Sequence, residues 1–383
     1  MNRKGTVVAV VILAVLVMGG IWLLRSPLSR VNFAGSIGSG GQADIQAPPG
    51  FTIEVFAEGL NGPRFIAFGP DGALTVAERG AGRIVTLPDA NADGRADAIR
   101  PFAADLDRPH SLAWHDGAWY AGLPSGVVRL ADSDGDGQAE ERTTIIGDLP
   151  PGGAHSTRTV AFLPNGRMVV SVGSSCNVCV EDDPRRAAIL IYDDATGANG
   201  RLFATGLRNA VGLAVQPGSG ALWAADNGRD LLGDDVPPET LYVVNDGDHF
   251  GWPACHAGTI PDPEFGGPGA CDGVVQPVLT WQAHSAPLGL AFYGGDAFPD
   301  AYRGDLFIAL HGSWNRPQPV GYEVLRVPFD GGMPSGPAEV FATGWLSAGR
   351  VDGRPVGVAV GPDGALYVSD DRGGFVYRIA YGE

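Results

Sequence analysis

His155 and Arg158 stand three residues apart in GGAHSTRTVAFLPNG, where a β-rich run begins. An imidazole that is neutral near pH 7 can take a proton, and a guanidinium can hold a carboxylate through two parallel hydrogen bonds. Basic or amide residues lead into short apolar runs elsewhere too: Arg64, Arg108 with His110, Arg208 with Asn209, His284 and Arg354. A single arginine of this kind is ordinarily a solvated rim charge or a clamp on backbone carbonyls. Repeated in a chain whose formal net charge is -17, the set points to one concave surface that binds a small anion, with a histidine beside it for proton transfer.

Oxygen-rich stretches suggest a cation. In ADNGRDLLGDDVPPETLYVVNDGDHFGWPAC, the residues Asp226, Asp230, Asp234, Asp235 and Glu239 crowd an irregular loop, and carboxylates with turn carbonyls suit Ca²⁺. DANADGRAD (89–97) and DSDGDGQAE (132–140) open like EF-hand loops, but position twelve is Arg100 in one and Thr143 in the other, so both read as β-turns with at most a weak structural ion. The four cysteines form two local pairs, Cys176 with Cys179 and Cys255 with Cys271, expected as disulfides in an oxidising compartment. A c-type haem site would need His where Val180 stands, and zinc would need the pairs to converge with help from His256.

Residues so far apart must be brought together by the fold. Gly (58) and Pro (30) without a collagen-like period indicate many short strands joined by turns, hence an all-β protein. One unit recurs: a basic lead-in, a short apolar strand, a Gly/Pro/Asn/Asp turn and a second strand. It spans 63–78, 108–123, 155–173, 208–226 and 354–370, with a looser sixth copy split between 287–295 and 302–313. Six copies at roughly 55 residues each predict a six-bladed β-propeller, whose inner strands all start at one end of the channel. The lead-in residues then ring a common mouth.

The N-terminus is set apart. Thr6 to Leu24 is an uncharged apolar run long enough to cross a bilayer, and it predicts one N-terminal helix, a retained anchor or a signal peptide, over residues 1–30. Residues 31–48 are expected as a flexible linker and 49–383 as the propeller. With no basic stripe, a nucleic-acid partner is excluded.

The segments GLRNAVGLAV, GRDLLGDDVPPETLYVVNDGDHFGWP, ERGAGRI and HSTRTVAF, in this order and blade spacing, resemble the pyrroloquinoline quinone-dependent sugar dehydrogenases, the soluble glucose, aldose sugar and sorbosone dehydrogenase group. The resemblance runs from Pro49 to the C-terminus. It implies a six-bladed propeller carrying the quinone and Ca²⁺ across the channel mouth, a sugar substrate, and a separate electron acceptor, a quinone or a cytochrome. His155 matches the family's catalytic base. Arg158, Arg208, Asn209, His311 and Arg354 fall at cofactor-binding positions, and Gly228, Arg229 and Glu239 at the Ca²⁺ site. The chain departs from the glucose dehydrogenase pattern in the three-residue spacing of His155 and Arg158, in His311 where a lysine is usual, and in Val356 where a second arginine is usual. HGSWNR (311–316) is closer to the sorbosone and pyranose dehydrogenase branch. Two other readings remain at this stage: a propeller hydrolase with an axial metal drawn from Glu78, Asn227 and Asp370, and a tethered propeller that binds without catalysis. Tryptophans 114, 119, 252, 281, 314 and 345 would suit stacking on a pyranose, although core packing is their commoner use.

Overall fold

The computed structural model describes residues 42–382. Thr6 to Leu24 lies outside them, and among the described residues no helix is long and apolar enough to cross a membrane. The described chain folds into six four-stranded antiparallel sheets. Blades 1 to 5 begin with the inner strands Pro63–Phe68, Ser111–His115, Arg158–Phe162, Ala210–Val215 and Pro287–Phe292, and blade 6 with Pro355–Val360. These inner strands touch in ring order, and the sixth closes on the first. Each copy of the sequence repeat supplies the first two strands of one blade.

Burial follows position in the blade. The second strands Leu74–Glu78, Met168–Val172, Leu222–Asp226, Leu306–Leu310 and Leu366–Asp370 are buried at every residue, because blades cover both their faces. Continuous apolar runs such as MVVSV and LFIAL satisfy that requirement. Outer strands meet water and read differently; Glu141–Ile146 is exposed over its first four residues. In the hairpin of blade 3, Gly166 supplies the positive φ of 81° that closes the Pro164-Asn165-Gly166 turn.

Two features were not anticipated. Phe51–Ala57 pairs antiparallel with Phe375–Tyr381 and is the outer strand of blade 6, so the start of the domain closes the ring. Residues 42–48, the described end of the segment expected to be a flexible linker, are tied down: Gln46 and Thr343 exchange backbone hydrogen bonds of 2.7 and 2.9 Å, and Ala43 packs beside Trp345 and Tyr377. Small and apolar residues in that stretch let it lie against the core.

On the axis, Val211, Leu288 and Val356 form a plug with Phe65 packed against it. The strands can approach this closely because the following residues of three inner strands are glycines. A Cβ on Gly212, Gly289 or Gly357 would lie 2.4, 2.5 or 2.9 Å from a carbonyl oxygen of the next strand. Val356 is fully buried in this plug. It closes the channel floor, a place where a guanidinium would have to be desolvated.

The cysteines pair as expected, Cys176 with Cys179 and Cys255 with Cys271. In the two EF-hand-like loops, the first carboxylate caps the turn: Asp89 accepts from the Asp93 and Gly94 amides, and Asp132 from those of Gly135 and Gly137.

Candidate functional site

Above the plug, at the face where the inner strands start, lies a cavity of about 510 Å³ with Leu288 in its lining. A repeated latch aims the lead-in segments at it. Register pairs Pro63 with Glu78, Ala210 with Asp226 and Pro355 with Asp370, setting an acid from the second strand beside the start of the inner one. Glu78 accepts from the Asn61 amide at 2.6 Å, Asp226 from Arg208 and Asn209 at 3.2 and 2.7 Å, and Asp370 from Arg354 at 2.8 Å. Burial pushes Asp226 up to about 7 against these amides, and raises Asp370 likewise. Two of the residues considered for an axial hydrolase metal, Glu78 and Asp370, are therefore structural latches. The third, Asn227, donates to the Asn209 and Pro287 carbonyls at 3.1 and 2.9 Å.

His155 lines the cavity. Its Nδ1 lies 3.0 Å from the Ser174 carbonyl and 2.8 Å from Ser174 Oγ, while that hydroxyl donates to the Cys176 carbonyl at 2.7 Å. With the hydroxyl proton committed, both Ser174 oxygens act as acceptors, so Nδ1 carries the imidazole proton and Nε2 keeps a lone pair. Burial, followed by the nearby Arg208 charge, lowers His155 to about 3, against the Ser174 bond, which favours protonation. The ring is thus neutral at ordinary pH.

The arginines divide into two groups. Arg208 and Arg64 line the cavity. Arg208 donates to Asp230 at 2.6 Å, to the Asn177 carbonyl and side chain at 2.9 Å each, and to the Asn227 carbonyl at 3.3 Å. Arg64 pairs with Asp371 through one terminal nitrogen and with His110 Nδ1 at 3.3 Å through Nε, and its other terminal nitrogen has no partner among the described residues. Asn209 also lines the cavity, and its side-chain Nδ2 has no partner among the described residues.

The second group corrects the expected ring. Arg158 does not line the cavity; it is fully buried and donates to the His155, Thr157 and Pro150 carbonyls at 3.2, 2.7 and 2.7 Å. Burial and Arg186 lower it to about 10. Arg354 likewise donates to the His311 and Gly312 carbonyls at 3.0 and 2.8 Å. Both clamp loops that carry histidines, because their side chains leave the strand toward unpaired backbone. Arg108 pairs with Asp107 on the exposed rim, and His110 is buried beneath Arg64, its pKa driven well down by burial and then by that arginine.

His311 lies in the cavity wall with Nε2 at 2.9 and 3.1 Å from the Asp371 carboxylate. Burial works against the Asp371 charge, but His311, Arg64 and Arg354 outweigh it and hold this carboxyl far below its usual range. His284 lines the wall as well, its Nε2 2.8 Å from the Gly233 carbonyl.

The acidic loop does not converge as a carboxylate cage. Asp226 is a latch, Asp230 holds Arg208, and Asp235 pairs with Arg316. Glu239, pushed up to about 8 by burial, accepts from the Gly228 and Ala286 amides at 2.7 and 3.1 Å. These bonds fix the Gly228 peptide at the cavity edge, and the Gly228 and Arg229 carbonyls have no donor among the described residues. The Arg229 side chain turns away to Asp262 and Glu264. A cation here would be held by carbonyls, with Glu239 orienting them.

The residues present fit a flat, anionic aromatic group. Arg64 and Asn209 offer free donors, Arg208 a fixed positive edge, and Trp314 and Leu231, 45% and 51% exposed, apolar surface at the rim. Asn177 had no place in the sequence-based site. Arg64 was expected in the mouth ring by its place before the first inner strand, and Asp230 among the acids of the cation loop, but neither as the available cation nor as the Arg208 partner.

The chain matches the TrAA12-like family model over residues 45–263 and 267–382. It is 28% identical over 410 residues to a pyrroloquinoline quinone-dependent pyranose dehydrogenase of Coprinopsis cinerea, covering 86% of this chain and 54% of that protein, about half its length. It is 27% identical over 401 residues to a pyrroloquinoline quinone-dependent sugar dehydrogenase of Hypocrea jecorina, covering 87% and 88% of the two chains. The solved holo quinone domain of the Coprinopsis cinerea pyranose dehydrogenase superposes with a TM-score of 0.75 at 25% identity, covering 89% of this chain and 98% of that one.

Proposed function

We propose, from the premise that the chain belongs to the TrAA12-like family, that it is a quinoprotein that oxidises a sugar at the propeller mouth. The observation that carries this reading is the pairing, in one cavity, of a neutral His155 with a free Nε2 and the fixed cation Arg208. Pyrroloquinoline quinone, when bound, would supply the acceptor for the hydride that leaves C1 of the sugar and carries its two electrons. Ca²⁺ on the Gly228 and Arg229 carbonyls supplies a Lewis acid.

The chain's own residues do the rest. His155 Nε2 accepts the proton of the C1 hydroxyl, its ring held by Ser174. Arg208, Asn209 and Arg64 would hold the carboxylates of the bound group, His311 stands in the wall with its Nε2 proton given to Asp371, and Trp314 and Leu231 offer apolar cover against water. The electrons pass on to a separate acceptor, a quinone or a cytochrome. The disulfides support a periplasmic or extracellular site of action, and Thr6 to Leu24 supports export with tethering to the inner membrane. The latch roles of Glu78 and Asp370 weigh against the hydrolase reading.

Purified protein supplied with the quinone and Ca²⁺ is expected to develop a bound-quinone absorbance and to oxidise an aldose with an artificial acceptor. Chelation should abolish this activity and added Ca²⁺ restore it. Full activity after exhaustive chelation would remove the ion from the mechanism, and no bound quinone would remove the reading itself.

A further inference from the structure

Cys176 and Cys179 close a four-residue loop, and one of the two residues between them, Asn177, lines the cavity. Asn177 Oδ1 accepts from Arg208 at 2.9 Å and from the Asp230 amide at 2.8 Å, and Nδ2 donates to the Asp230 carbonyl at 3.0 Å. Its own carbonyl accepts from Arg208 Nε at 2.9 Å and from the Trp252 indole at 3.3 Å. Arg208 precedes the inner strand of blade 4 and Asp230 follows its second strand, at the same end of that hairpin, whereas Asn177 comes from blade 3. An arginine on a long stem, paired with an aspartate on a loop, has many rotamers; two hydrogen bonds accepted by one asparagine, one from Nε and one from a terminal nitrogen, select a single one.

We propose that Asn177 is the positioning residue of the anion site, and that the Cys176–Cys179 disulfide is the clamp that keeps it there. The loop is short enough that its disulfide restricts the backbone on both sides of Asn177. The same segment starts at Ser174, which orients His155, so one clamped stretch sets both the fixed cation and the histidine. Reduction by a dithiol breaks the S–S bond, gives two thiols and oxidises the dithiol to its own disulfide. Asn177 would then lose its restraint, making cofactor affinity dependent on the redox state of this bond. This inference rests on the quinoprotein reading for its ligand but not for its geometry.

Two measurements test it on the full chain. In apoprotein, the Asp230 amide, which donates to Asn177 Oδ1, is expected to be protected from hydrogen exchange in the parent and unprotected in Asn177→Ala. The Cys176→Ser/Cys179→Ser pair, a second variant should Asn177→Ala misfold, should show intermediate protection, as should the reduced parent. In the quinone titration with Ca²⁺, Asn177→Ala should bind about tenfold to a hundredfold more weakly, the loss expected for hydrogen bonds to a charged group. Asn177→Asp, which keeps the acceptor for Arg208 and for the Asp230 amide, should recover most of that affinity. Unchanged Asp230 exchange in Asn177→Ala, or affinity lost equally in the Ala and Asp variants, overturns the positioning role. Parental exchange and affinity in the reduced and double-Ser proteins overturn the clamp. A parent that binds no quinone overturns the quinoprotein reading alone, and the exchange measurement still decides this one.

Discussion

Two arginine–aspartate pairs stand at the same mouth and are built for opposite ends. On the blade 4 side, Arg208 and Asp230 lie 2.6 Å apart, and Asn177 and Asn227 engage the rest of the guanidinium. On the other side, Arg64 shares Asp371 with His311 and keeps one terminal nitrogen free. The first is a cation fixed in place beside His155, the proposed base; the second is a donor still open to a ligand. Charge alone does not distinguish them. What does is how many of the five N–H donors of each arginine the protein already uses.

This contrast is most strongly challenged by His155→Ala. Steady-state turnover with saturating quinone is expected to fall by roughly 10² to 10⁴, the contribution of a positioned base, with quinone affinity near that of the parent. Next comes Arg208→Ala, which leaves Asp230 without its charge partner in a largely buried site; calorimetric titration should show a loss of about 2–5 kcal/mol in quinone binding. Arg64→Ala should lose less, about 1–2 kcal/mol, because Asp371 retains His311. Equal losses in the two variants would erase the distinction between fixed and open cations. Arg354→Ala removes only a clamp on two carbonyls, so a denaturant titration should show about 1–2 kcal/mol less stability while quinone affinity stays within about threefold.

The smallest effect concerns pH. As the proposed base, His155 works only above its pKa, and burial with Arg208 holds it at about 3, so His155 itself should add no limb between about pH 5 and 8, the range in which Asp226 and Glu239 titrate. Arg208→Ala removes one of the two main depressing influences, and the acid limb of its profile should move upward toward the ordinary histidine value. A parent limb near 6.5 that is missing from the residual rate of His155→Ala would mean that the site is far wetter than its burial implies.

The propeller was legible because every blade needs one strand buried on both faces and a turn after its inner strand. Segments such as MVVSV after PNG and LYVSD after PDG state both demands locally. The strand Phe51–Ala57 was not, since its partner is more than 300 residues away and no local pattern assigns it to blade 6. The position of the site was legible from the lead-in residues, but the role of each arginine was not. Arg158 and Arg208 look alike in sequence; one meets unpaired carbonyls at 150–157 and the other an aspartate and an asparagine across a blade boundary. Val356 shows the converse. It resembles a lost ligand until the glycine-lined approach of the inner strands makes it part of the floor.

The most direct test of the division between base and fixed cation is single-turnover mixing of sugar with quinone-loaded protein, following bound-quinone absorbance for occupancy and its loss for reduction. The parent should load fully and be reduced rapidly. His155→Ala should load as fully and be reduced at least about a hundredfold more slowly, whereas Arg208→Ala should load poorly, and its loaded fraction should be reduced much faster than that of His155→Ala. If His155→Ala is reduced at the parental rate, or if both variants fail to load alike, His155 is not the base and the blade 4 side does not divide its work as its geometry indicates.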